Sequence, residues 1–345
     1  MTDGINKRSN KRLRIAINGF GRTGRAATRI ALKNTLIEVV AINSKANAEN
    51  YAYLLKYDSL YGSIPDEVKV KDESTILFNG QTIKVFSQDE SLMPWKGLDI
   101  DIVLECSGKF TKADNAKIHL RDGAKRVIIG APADGEDATF VLGVNEKLFN
   151  PKKHFIVSNA SCTTNCLAPI AMLLDEAYGI KMGYMNTIHA YTNDQRLHDN
   201  SHKKDLRRAR AATNSIIPTS TGAAKALGLV LPKLKGKLDG ISLRVPVPTV
   251  SMVDLSVVTN KKVTREEVNL LFKEAEKKRL KGILGTSDVP LVSGDFKGDT
   301  RSSIIDTELT KVINDKLLKV FSWYDNEWGY ASRVVDLALY IHKNS

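Results

Sequence analysis

The sequence predicts an α/β protein of two domains, in which a mostly parallel sheet is followed by a mostly antiparallel one. Residues 13–43 run from an apolar strand through a glycine turn and a helix to a second strand, which is one βαβ unit. After residue 162 the apolar runs are longer and resemble strands of an antiparallel sheet. A chain of 345 residues also exceeds the size at which one hydrophobic core usually stops growing.

Short apolar segments predict the strands of the first sheet. Leu13–Asn18 ends in glycines, residues 26–32 are helix formers, and residues 38–43 form a second strand. Residues 99–106 and 126–130 are further short apolar runs bounded by turn or charged residues. Such runs are typical of strands buried on both faces, so a mostly parallel sheet is expected.

The second half is predicted from longer segments and amphipathic helices. In chain order these are helix 168–178, strands 184–190, 240–247 and 249–259, helix 263–280 and helix 332–342. Thr264 is a plausible N-cap for the helix that follows it, because a hydroxyl can accept a hydrogen bond from the first turn. Acidic residues in that turn suit the positive end of the helix dipole.

Composition narrows the possible functions. Hydrophobic residues make up 42% and charged residues 26%, as in ordinary globular proteins, and no apolar run suggests a membrane span. The cysteines Cys106, Cys162 and Cys166 form no paired framework, which favours free thiols in a reducing compartment. The basic extension 1–14 lacks the apolar stretch of a secretory signal, so a cytoplasmic location is expected. A net charge of +12 favours anionic partners without distinguishing nucleic acid, lipid and phosphorylated metabolites.

A glycine-rich turn follows the first strand. Gly19, Gly21 and Gly24 fit the pattern G-x-G-x-x-G, with Arg22 and Thr23 inside it. Such glycines let the backbone approach a pyrophosphate at a helix N-terminus, where unpaired N–H groups favour anions. The alternative is a tightly packed turn without a ligand, but the flanking strand and helix favour a dinucleotide site.

The second strand ends without the acidic residue that normally binds the 2′-hydroxyl of NAD. It is followed by Ser44 and Lys45, which could tolerate or attract a 2′-phosphate. The sequence is therefore compatible with either NADP or NAD as the cofactor. The alternative is that the adenosine lies elsewhere and Ser44 is a turn residue.

Cys162 is the candidate nucleophile. It stands among small and hydroxyl residues just before an apolar helix, and a helix N-terminus lowers a thiol pKa. Cys166 falls one turn later and is more typical of a small buried residue. His189 ends an apolar strand 27 residues after Cys162, so a helix and a returning strand could bring the two together. A lone strand histidine is more often a core residue, so this pairing is a hypothesis about geometry.

Along nearly its whole length the chain resembles the glyceraldehyde-3-phosphate dehydrogenase family. The resemblance lies in these segments, all in the family's order: N-G-F-G-R-T-G, S-N-A-S-C-T-T-N-C, H-A-Y-T-N-D-Q, D-L-R-R-A-R-A-A, P-T-S-T-G-A-A-K-A, L-R-V-P-V-P and W-Y-D-N-E-W-G-Y. It implies a Rossmann-type doubly wound parallel sheet over residues 1–161, completed by the C-terminal helix 327–345. An α+β catalytic domain would span residues 162–326, and the chain would form a homotetramer.

The resemblance also implies roles for individual residues. Cys162 would be the nucleophile and His189 its activating base. Inorganic phosphate and the acyl phosphate would be bound by Ser161, Thr163, Thr221 and Gly222. The substrate's own phosphate would be held by Thr192, Arg208 and Arg244, for which a salt bridge within the protein is the structural alternative. Asn326 would orient the nicotinamide carboxamide, and Tyr330 would pack beside the ring; no metal site is predicted.

The implied reaction interconverts glyceraldehyde 3-phosphate plus phosphate and 1,3-bisphosphoglycerate through a cysteine thioester, in glycolysis or gluconeogenesis. An erythrose-4-phosphate dehydrogenase is the nearest alternative, but Thr221 and Gly222 match the phosphate-binding pattern of the phosphorylating enzymes. A basic nucleic-acid-binding or scaffolding protein is an alternative of another class; no specific nucleic acid and no membrane partner are expected.

Two departures from the NAD-using pattern of the family favour NADP. Ser44 replaces the expected aspartate, which removes a repulsive charge against a 2′-phosphate. Asn200 and Ser201 stand where NAD-specific relatives carry Leu-Pro. The resemblance places this loop near the adenosine ribose of a neighbouring subunit, where Ser201 could donate a hydrogen bond to the phosphate.

Overall fold

The computed structural model describes residues 11–89 and 91–345, in which nine strands form one sheet and seven form another. The predicted extension 1–14 lies mostly outside the described residues. The strands of the first sheet are β1 (Leu13–Asn18), β2 (Ile37–Asn43), β3 (Val68–Asp72), β4 (Thr75–Phe78), β5 (Gln81–Phe86), β6 (Ile102–Glu105), β7 (Arg126–Ile129), β8 (Ala138–Thr139) and β9 (Ile156–Ser158). Those of the second are β10 (Ile180–Ala190), β11 (Ile217–Ser220), β12 (Leu238–Val245), β13 (Ser251–Thr259), β14 (Leu284–Ser287), β15 (Ser303–Ile313) and β16 (Leu317–Tyr324).

Helices cover both faces of the first sheet. The α-helices of the described chain are α1 (Arg22–Leu32), α2 (Ala48–Lys56), α3 (Ala113–Arg121), α4 (Cys162–Tyr178), α5 (Ala223–Val230), α6 (Arg265–Lys277) and α7 (Trp328–Lys343). Ile15 and Ile17 of β1 pack with α1 and α7, whereas Ala16 between them packs with α3. Because successive side chains of a strand point to opposite faces, the sheet is doubly wound, as predicted. None of the described helices is long and apolar enough to cross a bilayer.

The glycine turn lies where the first sheet changes winding direction. The strand order is β3-β4-β5-β2-β1-β6-β7-β9-β8, and the pairs are parallel except β3 with β4 and β4 with β5. From β1 the chain moves first to β2 on one side and later to β6 on the other. Ligands of open α/β sheets bind beyond the carboxyl ends of the strands at such a switch point. The predicted mostly parallel sheet is confirmed.

The second sheet is mostly antiparallel, as predicted. Its order is β11-β12-β10-β13-β16-β15-β14. Within it β10 and β13 are antiparallel neighbours, whereas β10 and β12 are parallel. The reason is the connection between them, because α5 supplies the helical crossover that parallel neighbours require.

Local capping explains where the predicted helices begin. Thr264 accepts a hydrogen bond from the Glu267 N–H, and the Glu267 carboxylate accepts one from the Thr264 N–H, so the predicted cap of α6 is confirmed as a capping box. The helix predicted over 332–342 starts earlier, at Trp328. There the Asp325 carboxylate accepts hydrogen bonds from the N–H groups of Glu327 and Trp328, both at 2.9 Å.

Asp325 also joins the two sheets at the base of α7. Its carboxylate accepts a hydrogen bond from the Tyr61 hydroxyl at 2.8 Å and from the Gly298 N–H at 2.8 Å. Tyr61 belongs to the segment after α2, and Gly298 to the segment before β15. This buried carboxylate therefore connects the two halves of the molecule, at the residue that precedes Asn326 in the chain.

Candidate active site

A strained turn presents Cys162 at the start of α4. The turn follows β9, and Ala160 adopts a left-handed backbone with φ of +55°, a conformation that costs a non-glycine residue about 1–3 kcal/mol. Its N–H donates to the Ser158 hydroxyl at 2.9 Å, and its carbonyl accepts from the Tyr330 hydroxyl at 2.8 Å. Ser161 is the N-cap, since its hydroxyl accepts from the Thr164 N–H at 3.0 Å. Cys162 is then the first residue of the helix.

Cys162 and His189 are in contact. The Cys162 Sγ lies 3.5 Å from the His189 Nε2 at the end of β10. The His189 Nδ1 lies 2.6 Å from the Ala190 carbonyl oxygen. A carbonyl only accepts, so we place the ring proton on Nδ1, which leaves the Nε2 lone pair facing the thiol. The predicted juxtaposition of these two residues is therefore observed.

Burial shapes the protonation of this pair. Burial lowers the pKa of His189 to about 3, and the nearby positive charge of Arg244 acts in the same direction. Burial raises the pKa of the Cys162 thiol, although Arg244 and the N–H groups of the first helical turn oppose that shift. The pKa lowering expected from the helix N-terminus is thus outweighed by desolvation. The resting pair is a thiol beside a neutral imidazole whose Nε2 lone pair faces the sulfur.

Arg244 is an unpaired cation beside the thiol and the imidazole. It lies on β12 directly opposite His189 on β10. Its Nη1 lies 3.2 Å from the His189 Nδ1 and donates to the Thr192 hydroxyl at 3.3 Å. No carboxylate of the described chain lies within 4 Å of it, and its buried Nε has no hydrogen-bond partner there. A half-buried guanidinium in this state is suited to an anionic ligand.

Arg208 is held differently. Its Nη1 pairs with Asp194 at 2.6 Å, its Nε lies 3.4 Å from Asp205, and the same Nε donates to the Thr219 hydroxyl at 2.8 Å. The structural alternative, a salt bridge within the protein, therefore applies to Arg208 but not to Arg244. Arg208 would have to share or exchange its aspartate partners to contact a ligand phosphate.

The other predicted phosphate-binding residues lie at helix N-termini. Thr221 and Gly222 follow β11, and the Thr221 hydroxyl accepts from the Ala223 N–H at 3.2 Å as α5 begins. Thr163 differs, because its hydroxyl lies 2.9 Å from the Tyr324 hydroxyl in the core. We therefore expect the Thr163 N–H, rather than its hydroxyl, to contact a phosphate.

A cleft of about 650 Å³ opens at the switch point of the first sheet. Its walls include Gly19, Phe20, Gly21, Ser44, Ser107 and Phe110. A Cβ on Gly19 would lie 2.4 Å from the Ser107 backbone, and one on Gly24 would lie 2.0 Å from the Gly19 carbonyl oxygen, so both glycines permit close packing. A Cβ on Gly21 would instead enter open space at the N-terminus of α1, which has no side-chain cap. These residues fit a dinucleotide, whose pyrophosphate would meet the uncapped N–H groups.

The remaining predicted cofactor residues divide into three cases. The Arg22 guanidinium is not turned to the cleft, because it pairs with Asp58 and Glu327. The backbone N–H groups of Arg22 and Thr23 are therefore the groups left to contact a pyrophosphate. Ser44 and Lys45 line the cleft. Ser201 is exposed on a separate loop and does not line it, so its predicted contact requires a second subunit.

Asn326 and Tyr330 lie close to the cysteine–histidine pair. The Ser251 hydroxyl accepts from the Ala190 N–H at 3.0 Å and so can donate to the Asn326 Oδ1 at 2.8 Å. That bond leaves the Asn326 amide nitrogen as the group available to a ligand. Tyr330 is linked to the cysteine turn through its bond to Ala160.

Sequence reasoning missed two side chains that support this site. Tyr324 is fully buried, and its hydroxyl bridges the Thr163 and Thr187 hydroxyls at 2.9 and 2.8 Å. Its ring meets the edge of the His189 ring, with centroids 6.0 Å apart. Ser251 is the second. Tyr324 stood inside a family segment, but nothing in the sequence linked either residue to the imidazole.

A dinucleotide cleft at the switch point of a doubly wound sheet, in a chain that also brings a thiol and an imidazole into contact, is the architecture of an NAD(P)-dependent oxidoreductase. Comparison with known families gives the particular one. Residues 13–113 match the NAD binding domain of glyceraldehyde 3-phosphate dehydrogenase, and residues 161–326 match its C-terminal domain. The chain belongs to the glyceraldehyde-3-phosphate dehydrogenase family.

Individual relatives align over almost the whole chain. A glyceraldehyde-3-phosphate dehydrogenase of Geobacillus stearothermophilus is 55% identical over 95% of this chain and 98% of the relative. Glyceraldehyde-3-phosphate dehydrogenase 2 of Bacillus subtilis (strain 168) is 53% identical over 96% and 97%. Glyceraldehyde-3-phosphate dehydrogenase 2 of Trichormus variabilis is 52% identical over 94% and 97%.

Proposed function

We propose that this chain is a phosphorylating glyceraldehyde-3-phosphate dehydrogenase with Cys162 as nucleophile and His189 as base. The observation that carries the proposal is the unpaired Arg244 guanidinium beside the contacting Cys162 Sγ and His189 Nε2. A thiol and a base can convert an aldehyde to a hemithioacetal, which becomes a thioester when a bound nicotinamide accepts the hydride, while the adjacent cation binds the phosphate of a phosphorylated substrate. The names of the relatives support the same substrate.

The residues of the chain would act in a fixed order. The Cys162 Sγ adds to the aldehyde carbon as its proton passes to the His189 Nε2 and then to the former aldehyde oxygen, giving a hemithioacetal. His189 takes that proton again when the C–H hydride leaves, and a thioester remains on Cys162. A bound oxidised nicotinamide supplies the hydride acceptor. Phosphate oxygen then attacks the thioester carbon, and the Cys162 sulfur leaves to yield the acyl phosphate.

In our proposal the reaction uses two anion-binding positions. Arg244, Arg208 and Thr192 hold the substrate's own phosphate, whereas Ser161, Thr163, Thr221 and Gly222 receive the attacking phosphate. The first group is supported by the contact between Arg244 and Thr192. The second is supported by its place at the N-termini of α4 and α5, where N–H groups favour anions.

We further propose that the enzyme accepts NADP and prefers it to NAD, which would suit the reductive direction. Ser44 lies in the cleft wall at the end of β2, where a carboxylate would repel a 2′-phosphate. Lys45 also lines the cleft and adds positive charge there, and the carboxylate of Asp89 lies in the same wall. NAD is retained as the second cofactor because no described contact excludes it.

Initial rates with NAD and NADP, each with and without phosphate, test the reaction and the cofactor together. We expect kcat/KM to be higher with NADP, and turnover to depend on phosphate because the thioester needs a phosphate oxygen for its release. A rate that does not change when phosphate is omitted would indicate thioester hydrolysis, as in the erythrose-4-phosphate alternative. A higher kcat/KM with NAD would contradict the cofactor preference alone.

The variant Ser44→Asp is the matched control for the cofactor. It should weaken NADP use by roughly 1–3 kcal/mol, because a carboxylate would face the 2′-phosphate, and should leave the phosphate dependence unchanged. Equal loss with both cofactors would show that position 44 does not distinguish them.

We propose a homotetramer, supported by the outer face of the second sheet. Met182 and Tyr184 of β10 and Ile241 of the adjacent β12 are exposed apolar side chains on this sheet. Exposed apolar groups on neighbouring strands are typical of protein interfaces. Light scattering should give about four times the chain mass of 38.1 kDa. A monomeric mass at micromolar concentration would contradict both the assembly and the role predicted for Ser201.

A further inference from the structure

Beneath the dinucleotide cleft, the carboxylate of Glu105 accepts hydrogen bonds from three residues. Glu105 is the last residue of β6 and is 2% exposed. Its Oε1 accepts from the Ser107 N–H at 2.7 Å and also from the Ser107 hydroxyl. Its Oε2 accepts from the Asn18 amide at 2.5 Å and lies 3.0 Å from the His119 Nε2. Cys162, His189 and the predicted phosphate-binding residues are not among the hydrogen-bond partners of this carboxylate in the described structure.

A ladder of side chains continues from Glu105 across three neighbouring strands. Glu105, Asn18 and Asn43 lie in register at the carboxyl ends of β6, β1 and β2. The Asn43 amide donates to the Asn18 Oδ1 at 2.9 Å, and the Asn43 Oδ1 accepts from the Gln88 N–H at 2.9 Å. Asn18, Asn43, Gln88 and Ser107 all line the cleft. The ladder therefore forms part of the cleft floor.

Fixed donors at the ends of the network determine the direction of every bond. The Gln88 N–H can only donate, so Asn43 must turn its oxygen to Gln88 and its amide nitrogen to Asn18, which in turn donates to Glu105. The Trp95 indole N–H donates to the His119 Nδ1 at 3.0 Å, so the His119 ring proton is on Nε2 and points at Glu105. The Ser107 N–H is a third fixed donor. All three paths end on residue 105, which must therefore accept with both oxygens.

We propose that Glu105 is a positioning residue for the dinucleotide: its acceptor-only carboxylate orients Asn18, Asn43 and Ser107 in the floor of the cleft. The inference rests on the proposed use of that cleft by NAD or NADP. A glutamine at 105 would point its amide nitrogen at a donor on one side or the other. The buried donor left without an acceptor would disturb the floor, and reversal of Asn18 would pass the conflict on to Asn43.

The test measures binding of NADP and NAD to the full-length protein by calorimetry, with steady-state kinetics in parallel. Glu105→Gln should raise Kd and KM for the dinucleotide roughly 10- to 100-fold, the usual effect of one unsatisfied buried donor. The value of kcat at saturating dinucleotide and the alkylation rate of Cys162 should change less than threefold, because the cysteine–histidine contact is left intact. Asp306→Asn is the matched control, since Asp306 is buried and accepts a tryptophan indole N–H at 3.1 Å in the second sheet. It should lower Tm without changing Kd.

A second pair of variants applies if Glu105→Gln does not fold. His119 does not line the cleft; it reaches the cleft through its bond to Glu105 and through the packing of its ring against Phe110, where glutamine and leucine both leave a side chain of similar size. His119→Gln can still accept from Trp95 and donate to Glu105, and should bind dinucleotide nearly as the natural protein does. His119→Leu can do neither and should bind several-fold more weakly.

The outcomes separate the two proposals. If the natural protein binds neither NAD nor NADP, the proposed function fails at the cleft, and the role of Glu105 fails with it. If the natural protein binds dinucleotide and Glu105→Gln binds it equally well, or if the two His119 variants bind alike, only the positioning role is overturned.

Discussion

Replacement of Cys162 by serine is expected to abolish dehydrogenase activity and to leave dinucleotide binding nearly intact. A serine hydroxyl is not appreciably ionised near neutral pH and is a poor substitute for sulfur as a nucleophile. Burial, which already raises the pKa of the Cys162 thiol, would disfavour a charged hydroxyl further. Ser161 still caps α4, so the fold should survive. The measurements are kcat for aldehyde oxidation and the Kd of NADP.

Cys166→Ala is the matched control for this change. Cys166 lies one turn further along α4, is fully buried, and places its sulfur 3.7 Å from the Ser303 hydroxyl. It should lose some stability and retain activity, because no predicted substrate or cofactor group contacts it. Substantial turnover by Cys162→Ser, or loss of turnover in Cys166→Ala, would assign the nucleophile to another residue.

His189→Asn should slow hydride transfer by a factor on the order of 10² to 10⁴, the usual effect of losing a general base. Burial lowers the pKa of the imidazole to about 3 and keeps it neutral at rest, with its Nε2 lone pair facing the thiol, whereas an amide nitrogen has no basic lone pair. Alkylation of Cys162 by iodoacetamide near neutral pH should slow as well. Pre-steady-state absorbance of the reduced cofactor measures the first effect.

The variant His154→Asn provides a comparison for general effects of removing a histidine. His154 accepts from the Asn150 N–H at 3.0 Å and packs against Phe140 and Phe149, away from Cys162. In the His154→Asn variant, the rate of Cys162 alkylation and the turnover rate should match those of the natural protein. Unchanged alkylation and turnover in His189→Asn would return that residue to a structural role.

Contiguous patterns made much of the fold predictable. Leu13–Asn18 is the first strand as predicted, and the glycine turn meets the switch point because strand, turn and helix follow one another directly in the chain. The Thr264 cap was equally local. The mostly antiparallel second sheet is confirmed, but the parallel pairing of β10 with β12 inside it could not be predicted, because strand direction depends on the path of the connecting chain and not on the composition of the strands.

The sequence by itself determined the fold class, the glycine turn and the family to which the chain belongs, because each of these can be recognised from short contiguous segments and from their order and periodicity. Tertiary structure decided the rest of the site. It paired Arg208 with Asp194 and left Arg244 without a carboxylate, and it gathered the donors that surround Glu105. Hydrogen bonds and desolvation depend on distances of a few ångströms between residues far apart in the chain. Those distances, and with them the pKa of His189, are set only when the two sheets and α7 pack together.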